Sequence, residues 1–109
     1  MSAVEQNARA RIVTDSPGEP PAVPAVLRYD GRIHITVPEE GDWSFTRELL
    51  EQGLRAPTTV GDIRIWPCGR VQAVMEFHSP KGVAVVQFDK KALVRFLRRT
   101  YTAATPVAH

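Results

Sequence analysis

The side chains able to make or break bonds are few and scattered. Three histidines, His34, His78 and His109, and a single cysteine, Cys68, stand far apart in the chain. Metal sites draw their ligands at hairpin or helical spacing, and neither C-x-x-C nor H-x-x-x-H occurs. His34 and His78 fall at the polar positions of alternating segments, which reads them as surface residues. Cys68 follows Trp66-Pro67 in a turn. A thiol nucleophile needs a base held against it, and nothing in the sequence orients one, so Cys68 reads as a half-buried structural thiol. Hydrolysis by paired carboxylates needs two acids on separate rigid elements. Here Glu39, Glu40 and Asp42 crowd one turn, and Glu48 and Glu51 lie on the outer side of a short helix. The seven glycines are dispersed through turns instead of forming a phosphate-binding loop. The pattern predicts no metal, no cofactor and no catalytic centre.

Two groups remain that suit recognition. Lys91, Arg95 and Arg99 recur at i, i+4 and i+8 and, with Arg98, make a candidate basic surface able to track phosphates. The other reading, a solvated face of an amphipathic helix, is preferred because few aromatic rings accompany them as stacking platforms. Arg64 and Trp66 share one face of a strand whose opposite face carries Ile63 and Ile65. Trp and Arg dominate interface hot spots, which makes this pair a candidate protein-interaction surface; alternatively Trp66 packs beneath the linker or the tail.

The elements that must position these groups are legible from alternation and punctuation. "ARARIVT" alternates weakly and reads either as an edge strand or as a tail. "DSPGEPPAVP", Asp15 to Pro24, holds four prolines and reads as a linker. "AVLRYD" runs into Asp30-Gly31, a hairpin-turn dipeptide. "RIHITVP" places Ile33, Ile35 and Val37 on one face, and "DWSFT" does the same for Trp43 and Phe45. Thr46 is placed as a helix N-cap, with Phe45 and Leu50 as a hydrophobic staple across it. Leu49, Leu50 and Leu54 form the apolar stripe, and Gly53 reads as the stop. "GDIRIWP" is a strand. "RVQAVMEFHSP" alternates Val71, Ala73, Met75 and Phe77 against Gln72, Val74, Glu76 and His78. "GVAVVQF" is apolar on both faces and is expected to be central in a sheet. Asp89 then precedes a helix, "KKALVRFLRRT", with Leu93, Phe96 and Leu97 buried. The expected order is ββββ-α-βββ-α, an α+β domain of antiparallel sheet with two helices. Residues 1–24 are the N-terminal strand or tail plus linker, 25–100 the domain, and 101–109 a flexible tail.

With 109 residues the chain is one small domain, and its net charge of +2 conceals an asymmetry. Lys90, Lys91, Arg95, Arg98 and Arg99 lie in a C-terminal stretch without an acid, so the remainder is net negative. A nucleic-acid binder usually has a broader basic footprint. No apolar run reaches the roughly 18–20 residues that cross a bilayer, and the N-terminus lacks the apolar core of a secretion signal. A lone cysteine fits a reducing compartment. A cytoplasmic protein without a transmembrane segment is expected.

"WSFTRELLEQGLRAPTTVGDIRIWP" resembles the SsgA-like proteins of sporulating actinomycetes, through Trp43, Phe45, Arg47, Leu49, Leu50, Gly53, Leu54, Pro57, Gly61, Asp62, Arg64, Trp66 and Pro67. "LRYD" upstream and "SPKGVAVVQFDKKALVRFLRRT" downstream extend the resemblance over Leu27 to Thr100. It implies a Whirly-like fold of antiparallel sheets packed with helices, assembled as a homotrimer. It also implies a non-enzymatic regulator of sporulation-associated cell division, cytoplasmic and at the division septum. Partners implied are the tubulin-like FtsZ or sister family proteins. The family's loop after its Trp-Pro is shortened here to "CGR". A single-stranded nucleic-acid-binding module using the basic helix is the alternative.

Overall fold

A computed structural model describes residues 4–14, 18 and 21–104. Four strands come first: β1 (Val4–Ile12), β2 (Ala22–Tyr29), β3 (Ile33–Val37) and β4 (Gly41–Phe45). Helix α1 (Arg47–Gly53) leads into β5 (Thr58–Val60), β6 (Ile63–Cys68), β7 (Gln72–Ser79) and β8 (Gly82–Asp89), and helix α2 (Lys90–Ala104) ends the described chain. The α+β class, the antiparallel pairing and the two helices are as expected. The structure adds one strand, β5. Its Thr58, Thr59 and Val60 are strand formers, but three residues are too few to show a period.

The strands make one eight-stranded sheet in the order β4-β3-β2-β1-β8-β7-β6-β5. The several sheets implied by the resemblance are thus two four-stranded meanders joined edge to edge. Their seam is short: β1 registers with β8 through Ala10↔Phe88, Arg11↔Gln87 and Ile12↔Val86, with Val13 N–H donating to the Val85 carbonyl just beyond at 2.9 Å, whereas β1 and β2 register along eight pairs. β4 and β7 stand five strands apart, about 24 Å in a flat sheet at ~4.8 Å per strand. Yet the rings of Trp43 and Phe77 stack with centroids 4.0 Å apart and planes 12° from parallel. The sheet therefore curls until its inner faces meet. Ile33, Ile35, Phe45, Ile65, Met75, Phe77, Val86 and Phe88 fill the inside.

The N-terminal segment is neither an edge strand nor a tail, because β1 is paired on both sides. Its buried positions are Val4, Ala8 and Ala10. Small side chains made the alternation look weak, and they let α2 lie close: Gln6 donates to the carbonyl of Ala92 at 3.0 Å. Ala22 to Pro24, assigned to the linker, open β2. α2 runs past Thr100, so residues 101–104 of the expected tail are helical. Arg47 anchors this extension, its guanidinium carbon 3.8 Å from the Tyr101 ring centroid and 5.2 Å from that of Tyr29. The Tyr101 hydroxyl also bonds the carboxylate of Glu51. Residues 105–109, and most of the linker between 15 and 20, lie outside the described residues.

α1 begins where the sequence placed it. The Thr46 hydroxyl accepts from the Leu49 amide at 3.2 Å, and Phe45, Leu49 and Leu50 are buried. Gly53 has a different role from the one expected. The residue after it, Leu54, caps the helix with an ordinary right-handed backbone, so no left-handed glycine is needed. Gly53 instead presses on β6: a Cβ added there would lie 2.4 Å from the Cβ of Ile65 and 2.5 Å from its Cγ2.

Candidate interaction surfaces

Because side chains alternate along a strand, the burial of Ile65, Met75 and Val86 sends their neighbours outward. Arg64 and Trp66 emerge from β6, Val74 and Glu76 from β7, and Val83, Val85 and Gln87 from β8. The register draws them into rows, Trp66 beside Val74 beside Gln87, and Arg64 beside Glu76 beside Val85. Arg64 is exposed and Trp66 half-buried, and the guanidinium carbon lies 5.2 Å from the indole centroid. Val74 is only 6% exposed yet stands outside the core cluster, shielded by its outer-face neighbours. Val83 remains 54% exposed. The two residues singled out from the sequence are thus one corner of a valine-lined sheet face. The signal for the rest was present in β8, whose apolar residues alternate to both sides.

The basic residues divide. Arg99 donates to the carbonyl of Glu5 at 3.0 Å and to Oε1 of Gln6 at 3.2 Å, tying α2 to β1. Lys91, Arg95 and Arg98 instead line an open hollow of about 600 Å³ with Arg70, Val71 and Val94. Lys90 and Asp89 complete its rim. Arg70 and Val71 escape the sequence because Val71 continues the alternation of Ala73, Met75 and Phe77 and so reads as an inward strand residue. It sits in the β6–β7 turn, 66% exposed. The Gln72↔Asp89 pairing carries that turn to the start of α2, and Lys90 N–H donates to the Val71 carbonyl at 2.8 Å.

The groups weighed for catalysis are dispersed. His34 Nε2 lies 2.8 Å from Asp30 Oδ1, and His78 Nε2 lies 2.7 Å from Glu76 Oε1, both on exposed strand faces. The His34 hydrogen bond, helped by the Arg32 amide, holds the Asp30 carboxyl below its ordinary range. Cys68 is exposed, not half-buried, since β6 ends there before the Gly69 turn. Among the described residues no three His, Cys, Asp or Glu side chains gather as a metal site; His109 lies outside them. No described helix is long and apolar enough to cross a membrane.

The family model described as "Streptomyces sporulation and cell division protein, SsgA" matches residues 16–107. The sporulation-specific cell division protein SsgB of Streptomyces coelicolor is 37% identical over 107 residues, covering 88% of this chain and 77% of that protein. SsgB of Salinispora tropica is 39% identical over 92 residues, covering 72% of this chain and 64% of that protein. Against that second relative the chain spans less than two thirds of the length. Among solved structures, SsgB of Streptomyces coelicolor, whose mutations correlate with longitudinal cell division during sporulation, superposes with a TM-score of 0.84 at 35% identity, over 96% of this chain and 89% of that one. An SsgA-like sporulation-specific cell division protein from Thermobifida fusca gives 0.78 at 27% identity, over 94% and 82%.

Proposed function

This chain belongs to the SsgA family of sporulation and cell division proteins, and from that premise we propose that it is a non-enzymatic adaptor of sporulation-associated cell division. It acts at the septum by protein–protein contact, as a homotrimer, with FtsZ or sister family proteins as partners. The observation that carries this reading is the outer face of β6–β8. There a half-buried Trp66, with the Arg64 guanidinium over its ring at cation–π distance, stands near Val74 and Val83 on a surface that the core does not use. An aromatic–arginine anchor amid aliphatic side chains is the composition of an interface centre.

Two measurements test it. A fluorescent fusion in a sporulating actinomycete should mark septa; a diffuse signal throughout sporulation counts against the reading. Trp66→Ala should leave the domain folded and weaken trimer formation or co-purification of FtsZ by about 2 kcal/mol, the size of a hot-spot loss. Unchanged assembly and capture would move the adaptor surface elsewhere. A second reading, single-stranded nucleic-acid binding, draws support from the hollow beside α2 with its five cations. Its signature is an affinity for oligonucleotides that collapses between low and physiological salt.

A further inference from the structure

We propose that the hollow between the β6–β7 turn and the first turns of α2 is a docking site for an acidic peptide segment carrying aliphatic residues. The proposal rests on the adaptor reading and assigns one partner contact to a place that the Trp66 face does not include. The hollow pairs two chemistries. Arg70, Lys90, Lys91, Arg95 and Arg98 surround it against one carboxylate, Asp89, so it is strongly cationic. Its floor is aliphatic: Val71 is 66% exposed, and Val94 lies beside it, half-buried. Such a valine gains from being covered, and the cations around it select a partner of negative charge.

The frame is built rather than incidental. The Gln72↔Asp89 pairing and the Lys90–Val71 hydrogen bond fix the turn to the helix start. Arg95 and Arg98 project from a rigid helix whose opposite side, Leu93, Phe96 and Leu97, is core. Against nucleic acid stands the absence of an aromatic ring among the residues that line the hollow, which leaves bases no platform to stack on. A peptide of alternating acid and leucine satisfies both the cations and the valines.

Fluorescence anisotropy at low salt tests this with three labelled probes: an octapeptide of glutamates interrupted by two leucines, octaglutamate, and an oligothymidine of similar charge. The mixed peptide should bind most tightly, with octaglutamate weaker by about fivefold, the loss of one partly buried aliphatic contact. Arg95→Glu/Arg98→Glu, verified as folded by circular dichroism, should weaken the mixed peptide at least about tenfold. Val71→Ser, a change at an exposed position, should bring the mixed peptide down to the level of octaglutamate. Lys81→Glu, at the far end of β8, should change nothing. The proposal is overturned if the mixed peptide does not bind, if octaglutamate binds equally well, if Lys81→Glu weakens binding as much, or if oligothymidine binds best. A wild-type fusion that marks septa while no peptide binds removes the hollow alone. A diffuse fusion removes the adaptor reading whatever the peptide does.

Discussion

Replacing Gly53 by alanine is ordinarily a stabilising change in a helix, by about 0.8–1 kcal/mol. Here it should destabilise. The new Cβ would lie 2.4 Å from Ile65 Cβ and 2.5 Å from Cγ2, against a comfortable carbon–carbon separation of about 3.5–4.0 Å. Ile65 is fully buried and the position of its Cβ is fixed by the strand backbone, so no rotamer change relieves that overlap. The helix must lift from β6 by about 1 Å. A gap of that size forfeits up to half of the contact attraction of the side chains beneath it. Leu49 and Leu50, at 2% and 0% exposure, each contribute about 1.5–3 kcal/mol on full burial. Losing half of both costs about 1.5–3 kcal/mol, and residual overlap adds about 1–2. After the propensity gain, a net loss of about 1.5–4 kcal/mol is expected, a fall in Tm of about 6–30 °C at roughly 4–8 °C per kcal/mol for a domain this size. Differential scanning fluorimetry of the two proteins decides it. A Gly53→Ala protein that melts at or above the wild type would refute the close-approach account.

Ile65→Ala removes a fully buried side chain and should cost about 2–5 kcal/mol in chemical denaturation, whereas Trp66→Ala, one residue along the same strand, should leave the midpoint almost unmoved at protein concentrations too low for self-association. Trp43→Ala opens the stack on Phe77 where the curled sheet meets itself, and a loss of about 2–4 kcal/mol is expected in the same assay. Arg99→Ala breaks two bonds to β1 and should cost about 0.5–1.5 kcal/mol, while Lys91→Gln stays within about 0.5 kcal/mol; equal effects would show that the basic residues form one class after all. Asp30 has its carboxyl depressed by His34, so its contribution to stability is present above the unfolded value and fades as pH falls through the lower folded one. An NMR titration should place the Asp30 midpoint below 3.8, its ordinary value, and His34→Ala should return it upward.

Local signals were legible wherever a residue's role is set within one turn of chain. The Thr46 cap, the staple of Phe45 and Leu50, and the two-sided β8 all follow from neighbouring residues. What stayed hidden depends on contacts distant in sequence. β1 reads weakly because alanine is what a close helix requires, and the helix lies some eighty residues away. Gly53 reads as a stop because the isoleucine that demands it comes from another strand. Of the candidate surfaces, Arg64 and Trp66 were visible as a pair on one strand. Arg70 and Val71 were not, since only the Gln72↔Asp89 pairing brings their turn to α2.

The place of β1 also sets a schedule for the chain's birth. β1 through β4 can zip into a meander as soon as they leave the ribosome, each strand beside its predecessor. One side of β1 then waits for β8, which begins seventy residues after β1 ends. At about 5–20 residues per second of synthesis, that wait lasts about 4–14 s. During it the nascent meander carries an open strand edge and an alanine-lined face without its helix, the kind of edge that pairs with other chains. Arg9 and Arg11 lie on the waiting strand, and positive charge on such an edge discourages pairing with a copy of itself. The β1–β8 seam can therefore close only once β8 has emerged, later than any pairing within β1–β4 can form.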